Sequence, residues 1–594
     1  MDKSINWKIT ETDANIPLMA ETLGIGPITA RVMANRGIRS KKRALTHLNP
    51  SPSLFLDGFL MKDMKKAVSH IFETIKEGKN ICIYGDYDAD GIIGVVILYK
   101  TLKSLGGQVS YYIPQRAEEG YGLNIPALKH IAEEGAGLLI TIDNGVSAVD
   151  EVDEAGKLGM DVIIVDHHEP GFTHENGEKK DILPAAYAVV NPKQAECAYP
   201  FKSLCAAGLA YKLSIALFGE KMPKVYNNEF MALAAIATIC DIVDLYDENR
   251  IIVKNGLEIL NKNKMLNPGL GCLILKRGYI DKTIDTYTAG FILGPCLNAT
   301  GRLASACLSV QLLLAEPGDT TLCDKLADTL SSLNDERKNM TAEGYDRAME
   351  MIKQQEGRLD KVVLHLDKDT NESISGIIAG RIKECLHRPV IMLTYAEQPS
   401  FNDANEPGTV LKGSGRSIEA YNMFSALQEN KDLLIRFGGH AMAVGLTLNI
   451  NNLDALIKNL NNNCGLTEDN FVGEILIDQV LDVSEISLQL SDELGKLTPF
   501  GKGNREPVFA SYGLIPESVR VIEAKNTIIF SFLSSVGKRL KGICFGLVNR
   551  FAEEKEKIGG KEFTIDAAYI VETNHYMGTT SVQIRIIDFI LKGI

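Results

Sequence analysis

The sequence predicts a multidomain α/β protein in which a large parallel-sheet domain, a long connecting helix, a smaller α/β domain and a C-terminal β-barrel follow one another. Three observations predict it. From Asn80 onward, runs rich in Ile and Val (NICIYGD, QVSYYIP, GLLITIDNG, DVIIVDHH and AAYAVVNP) recur between stretches of helical period, and uninterrupted apolar strands alternating with helices make a parallel sheet buried on both faces. The last ~130 residues instead carry short apolar segments at near-regular spacing, as in PVFASYGLI, TIIFSFLSS and SVQIRIIDFIL, the pattern of a small closed or partly open barrel such as an OB-fold. The length of 594 residues, 45% apolar and 23% charged, supplies roughly two to four cores and excludes both a small binding module and wholesale disorder.

In order along the chain, residues 1–70 read as a polar, helical segment whose basic stretch Arg36 to Arg43 is a solvated face. Residues 71–314 form the first α/β domain. Residues 315–356 are charged and helical in period, which suits a connecting helix better than a core element. Residues 357–462 form the smaller domain, with the strands KVVLHLD and RPVIMLTY, a Gly-rich GSGRS segment that reads as a phosphate loop or a tight turn, and FGGHAMAVGL. Residues 463–594 form the barrel, where Phe530 and Phe532 alternate and are either base-stacking or core residues. No window approaches the roughly 18 apolar residues that span a bilayer, and the N-terminus lacks the apolar stretch of a secretory signal, so a cytoplasmic protein is expected. The 11 cysteines show no paired spacing and are expected to be reduced. A net charge of -13 means that any polyanion needs a locally basic groove or a bound metal.

The chemistry concentrates at strand ends. Asp86, Asp88 and Asp90 alternate directly after ICIY, where a parallel sheet places ligand groups, and three converging carboxylates repel one another unless a cation joins them. Taken alone, the segment could equally be an Asx turn with a helix cap at Asp90. Two further strands end in the same way, one in Asp143 and one in Asp166, His167 and His168. A carboxylate and imidazole set suits Mn²⁺ or a similar ion better than Ca²⁺. Asp241, with Asp244 as the alternative in register, follows the helical run FMALAAIATIC and offers a further ligand.

These residues, in this order, resemble the four motifs of the DHH phosphoesterases. Within that superfamily the chain is most similar to the RecJ-type exonucleases, through GPCLNATGR (Gly294 to Arg302), GSGRS (Gly413 to Ser417), GGHAMAVG (Gly438 to Gly445) and TPFGKGNREPVF (Thr498 to Phe509). The resemblance implies a parallel-sheet DHH domain, a DHH-associated domain and an OB-fold-like barrel. It implies a 5′ to 3′ exonuclease on single-stranded DNA that releases 5′ mononucleotides in repair and recombination. Two divalent ions would serve it, Mn²⁺ before Mg²⁺, with Asp143 as the candidate bridge. Asp86, Asp88, Asp90, His167 and Asp241 would complete the ligand set. His168 would ligate or contact the scissile phosphate, and Asp166 would orient a histidine.

Arg116, Tyr121, Ser414 and Arg416 would bind the 5′ end and the DNA backbone. Arg302 would stabilise charge in the transition state or pair within its helix, and His440 would touch substrate or sit in the core. The family also implies a RecQ-like helicase and a single-strand-binding protein as partners, and a monomer is expected. Asn371 stands where the family pattern usually has His, Ser373 where Gly is common and Cys296 where Arg often follows Gly-Pro, so no role of that histidine transfers to this chain. Two other readings stay open: a DHH phosphodiesterase acting on short oligoribonucleotides or cyclic dinucleotides, and a non-catalytic DNA-binding scaffold.

Overall fold

A computed structural model describes residues 5–116, 118–175, 178–354, 359–396, 409–533, 537–576 and 578–594. The chain opens with strand β1 (Ile5–Ile9) and then a helical segment. The five apolar runs become β2 (Asn80–Tyr84), β3 (Gln108–Tyr112), β4 (Ala136–Ile142), β5 (Asp161–Val165) and, after a small hairpin of β6 (Gly171–Glu175) and β7 (Glu178–Ile182), β8 (Ala188–Val190). They form one parallel sheet in the order β3-β2-β4-β5-β8. Alternate residues enter two cores: Ile81 and Ile83 pack with helices Ala89–Ser104 and Ala206–Phe218, while Cys82 and Tyr84 pack with Ile125–Glu133. Burial on both faces is the reason these strands read as continuous apolar runs. From β2 the chain crosses to one side for β3 and to the other for β4, so the carboxyl ends of β2 and β4 flank a topological switch point.

The connecting helix runs from Thr320 to Gln354, about 52 Å at the usual rise, and packs on helices Pro268–Lys276, Gly294–Leu303 and Glu372–Leu386. The smaller domain has β9 (Val363–Leu366), β10 (Val390–Tyr395), β11 (Val410–Arg416), β12 (Leu434–His440) and β13 (Ala443–Asn449) in the order β12-β13-β11-β10-β9. GSGRS is therefore no turn: most of it lies in the inner strand β11. Its glycines serve packing, since a Cβ on Gly415 would lie 2.3 Å from Met423 Sδ. Asn371 caps the helix Glu372–Leu386 through a bond from Ser373 N, 2.8 Å, which gives this departure from the family pattern a local role.

The C-terminal domain comprises β14 (Gly473–Ile477), β15 (Gln479–Val480), β16 (Phe509–Leu514), β17 (Pro516–Ile522), β18 (Thr527–Leu533), β19 (Arg539–Phe545), β20 (Phe563–Tyr576) and β21 (Thr579–Gly593). Seven of these form a partly open sheet, β15-β16-β20-β21-β19-β18-β17, around a core that includes Phe530 and Phe532. Those two rings are fully buried and cannot stack on bases.

The N-terminal segment departs from its reading. β14 pairs in parallel with β1, and Val32, Met33 and Ala44 join the barrel core. Arg36, expected in solvent, is buried against Asp478 at 3.1 Å. Arg250 ties three regions together by donating to the carbonyls of His47, Lys496, Thr498 and Pro499 at 2.7–3.3 Å. Arg250→Ala leaves these buried oxygens without their donor and should cost about 2–4 kcal/mol. Calorimetry should show the barrel and N-terminal segment melting as a separate, earlier transition; an unchanged thermogram would contradict this role. No helix among the described residues is long and apolar enough to cross a membrane, and the cysteines are free thiols.

Candidate active site

Four chain segments meet at the carboxyl ends of β2, β4 and β5. After β2, Asp88 is the N-cap of helix Ala89–Ser104, its Oδ1 accepting from Asp90 N and Gly91 N. A Cβ on Gly91 would lie 2.7 Å from the Asp86 backbone, so glycine lets the helix start this close to the loop. Asp90 does not cap its own helix, so the cap that was its alternative reading falls to Asp88 instead. The two Asp90 oxygens accept from Ala206 N and Ala207 N, 2.7 and 2.8 Å, at the start of the next buried helix. Asp143 follows β4 at φ 66, a left-handed conformation that Asp tolerates better than most residues. Asp241 ends the helix Lys224–Cys240 and comes together with Asp90 and His167, whereas Asp244 faces Gly503 in the C-terminal domain.

These side chains form three overlapping sets that could each hold a metal ion: Asp86, Asp88 and Asp143; Asp143, His167 and His168; Asp90, His167 and Asp241. His167 Nε2 lies 3.1 Å from Asp143 Oδ1 and 3.8 Å from Asp90 Oδ2, and its Nδ1 lies 3.7 Å from Asp241 Oδ2. Asp86 Oδ1 and Asp241 Oδ2 are buried without a hydrogen-bond partner, as oxygens reserved for cations would be. Asp166 differs in kind. It accepts from His167 N, His168 N, Val146 N and His168 Nδ1, the last at 2.7 Å, which leaves it little capacity for a metal and makes it the orienter of His168.

The electrostatics follow from burial. Burial and then the Asp88 charge push Asp90 up to about 6, and burial with the charges of Asp90 and Asp88 pushes Asp241 up to about 8. Asp86 and Asp143 are raised well above the carboxylate range for the same reasons. Burial takes His167 down to about 3, so its imidazole is neutral, the form in which it could bind a cation. Burial opposes charge on His168, but the bond and charge of Asp166 outweigh it and raise His168 to about 9.

Cations binding here must displace protons held by carboxylates whose ordinary value is ~3.9. Affinity for Mn²⁺ should therefore rise with pH between 6 and 8. Without metal, the raised carboxylates bind more protons folded than unfolded, so their contribution to stability falls as pH rises from the ordinary ~3.9 to about 6 for Asp90 and about 8 for Asp241. Titration calorimetry in two buffers of different ionisation enthalpy should show proton release at pH 7; none released would refute the assignment.

Beside the metal set lies a cleft of about 510 Å³ between the two α/β domains, lined by Tyr87, Arg116 and Tyr121 on one wall and Ser373, Ser414 and Arg436 on the other. The Arg116 guanidinium lies 5.0 Å from the Tyr87 ring centroid. Tyr121 donates its hydroxyl to Asp143 O, 3.0 Å, and stands 3.4 Å from His168 Nε2. Arg302 reaches across to Ser373 O at 2.6 Å; burial, then the charges of Arg116 and Arg337, lower it to about 9. Among the described residues none of Arg116, Arg302 and Arg416 is paired with a carboxylate, so Arg302 is not the salt-bridged helix residue that was its alternative. His440 is exposed at the end of β12, next to Gly438 and Gly439 of the cleft lining but not itself among those residues, which removes the core-histidine reading.

Sequence reasoning missed Asn298, whose Oδ1 accepts from Ala89 N at 2.7 Å and fixes the metal loop, and Tyr87 under Arg116. Asn298 lies inside GPCLNATGR, but only the fold shows what it holds.

Comparison with known proteins gives three family-model matches: the DHH family N-terminal domain over residues 80–238, the DHHA1 domain over 359–465 and the RecJ OB domain over 477–588. The single-stranded-DNA-specific exonuclease RecJ of Bacillus subtilis (strain 168) is 39% identical over 88% of this chain, which spans 63% of that relative's length. RecJ of Escherichia coli (strain K12) is 31% identical, with 99% of each chain covered. The crystal structure of RecJ from Thermus thermophilus in complex with Mn²⁺ matches with a TM-score of 0.80 at 25% identity, covering 99% of this chain and 80% of that one. With the three domains in family order and the metal-type ligand sets at the sheet's switch point, the chain belongs to the RecJ family of single-stranded-DNA-specific exonucleases.

Proposed function

We propose that the protein hydrolyses single-stranded DNA from its 5′ end, releasing 5′ mononucleotides, as a cytoplasmic monomer in repair and recombination. The observation that carries this is the sharing of Asp143 between two ligand sets beside a cleft lined by unpaired arginine. Asp86, Asp88, Asp90, Asp143, His167 and Asp241 would hold two divalent cations. When bound, these supply an activated water and neutralise the leaving oxygen of an in-line displacement. The mixed oxygen and nitrogen set favours Mn²⁺, with Mg²⁺ as substitute.

The chain's own residues do the rest. Asp166 keeps His168 protonated and fixed, so it presents a charged donor to a non-bridging phosphate oxygen. Tyr121 steadies the Asp143 backbone. Arg302 supplies positive charge at the joint between the domains, and Arg116, Ser414 and Arg416 hold the terminal phosphate. Such an enzyme depends on single strands supplied by others, work suited to a RecQ-like helicase and a single-strand-binding protein.

The test is a Mn²⁺-dependent time course on an oligonucleotide labelled separately at each end, single-stranded and duplex. Release of 5′ mononucleotides from the single strand alone supports the reading. Cleavage confined to dinucleotides would transfer it to the small-substrate phosphodiesterases, and metal binding without hydrolysis of any strand to a DNA-binding scaffold.

A further inference from the structure

Three large apolar side chains stand in solvent near the metal centre and outside the cleft: Tyr287 is 59% exposed, Phe291 66% and Ile242 66%. Tyr287 and Phe291 stack on each other, ring centroids 5.2 Å apart with planes 21° from parallel. Phe291 lies within a six-residue π-helical insert, Thr288–Leu293, that Tyr287 precedes and that runs directly into the helix Gly294–Leu303. Such inserts are rare and occur mostly at functional sites.

Residues 294, 298 and 302 are spaced four apart in the helix Gly294–Leu303, which places them along one stripe. That stripe serves the active site. Arg302 reaches Ser373 O, Asn298 holds the metal loop through Ala89 N, and Gly294 approaches so closely that a Cβ would lie 2.2 Å from Cys240 Sγ, next to Asp241. The aromatic pair lies in the π-helical turn directly before that stripe, beside the end of the helix Lys224–Cys240 that Asp241 follows, where a Cβ on Gly290 would lie 3.2 Å from Ile239 Cγ2.

Ile242 carries the second irregularity. It sits at φ 55, a conformation that a β-branched residue adopts only as an outlier, and the strained backbone delivers an apolar side chain to solvent directly after a metal-type ligand. Three residues on, Leu245 N donates to Lys502 O of the C-terminal domain at 2.8 Å. Ile242 thus stands on the segment that leads from Asp241 to that domain.

Tyr121 joins the cleft to Asp143, whereas Asp241 belongs to the set with Asp90 and His167 and is not among the residues that line the cleft. If the cleft holds the 5′ end, the rest of the strand leaves past Asp241. Two stacked rings and one branched side chain are far smaller than a protein interface of ~800 Å² per partner. They fit an unstacked nucleobase, whose apolar faces stack without regard to sequence.

We propose that Tyr287, Phe291 and Ile242 form a stacking platform for the nucleobases 3′ of the scissile bond, guiding the strand between the C-terminal domain and the metal centre. This rests on the exonuclease reading above. The test measures KM with Mn²⁺ for a 5′-phosphorylated 20-nucleotide strand and for strands with abasic sites at successive positions from the 5′ end. The full-length parent is compared with the Tyr287→Ala/Phe291→Ala double variant and with Phe291→Leu. Abasic sites within a short window should raise the parent's KM about tenfold and leave the double variant, already about tenfold weaker on the intact strand, no weaker still; Phe291→Leu should fall between.

Abasic sites that weaken the variant as much as the parent, or a variant that matches the parent on the intact strand, would overturn the platform while leaving the exonuclease reading intact. A loss in the variant with no abasic effect in the parent would also overturn it, because the loss would then not pass through bases. A parent inactive on every strand would instead defeat the exonuclease reading.

Discussion

Asp143→Asn should lower hydrolysis of single-stranded DNA by roughly 10³-fold or more and, in the same protein, raise the melting temperature measured without metal by a few degrees. The two signs have one cause. Asp143 lies within ligand distance of Asp86, Asp88, His167 and His168, and burial together with Asp90, Asp88, Asp86 and Asp241 resists its ionisation. A cation turns that repulsion into binding; without one, the charge strains the fold. Asparagine keeps the shape, suits φ 66 and removes the charge. The parent should gain stability steeply on adding Mn²⁺, and the variant should gain little. Scanning calorimetry with and without Mn²⁺, beside the end-labelled assay, decides it. A variant that keeps a tenth of the parent rate, or that melts earlier than the metal-free parent, would rule out Asp143 as the bridge.

The sequence disclosed what is local. β2, β4 and β5 announce themselves because strands covered on both faces need continuous apolar residues, and their carboxyl ends are where a parallel sheet presents ligands. Asp86, Asp143 and His167 were therefore legible before any contact was known. What pairs at long range was not. β1 meets β14 across the whole chain, Ile5 beside Gly473, and a short, half-exposed N-terminal strand carries no apolar run to betray it. β17 is an edge strand with most residues in solvent. Arg36 looks like one more surface cation until Asp478 closes over it. GSGRS misled because glycine signals a turn, whereas two of its glycines lie where neighbouring side chains fill the space of a Cβ. Asp90 shows a subtler limit: in the sequence a helix cap and a ligand are alternatives there, yet a carboxylate that accepts backbone N–H bonds, as Asp88 and Asp90 both do, keeps lone pairs for a cation.

Arg416→Ala should cut kcat/KM on a 5′-phosphorylated strand about 10²-fold and leave a 5′-hydroxyl strand within about threefold, collapsing the preference between them; Arg116→Ala should act in the same direction. The argument mirrors that for the carboxylates with the sign reversed. Burial and then the Arg116 charge lower the Arg416 guanidinium, and Arg302 feels both. Among the described residues no salt bridge ties these arginines to a carboxylate, and a bound dianion would stabilise the arrangement. Arg416 Nη1 donates to Gly415 O at 2.8 Å, and the guanidinium lies over Gly376, where a Cβ would come within 2.8 Å of Nη2, so the backbone fixes the direction of the fork. Lysine retains the charge without the fork, and Arg416→Lys should recover only part of the loss. Initial rates on paired substrates that differ only at the 5′ terminus check this. Equal losses on both strands would place Arg416 on the DNA backbone, and the polarity of degradation would then have to arise from the path of the strand past Asp241 rather than from capture of its end.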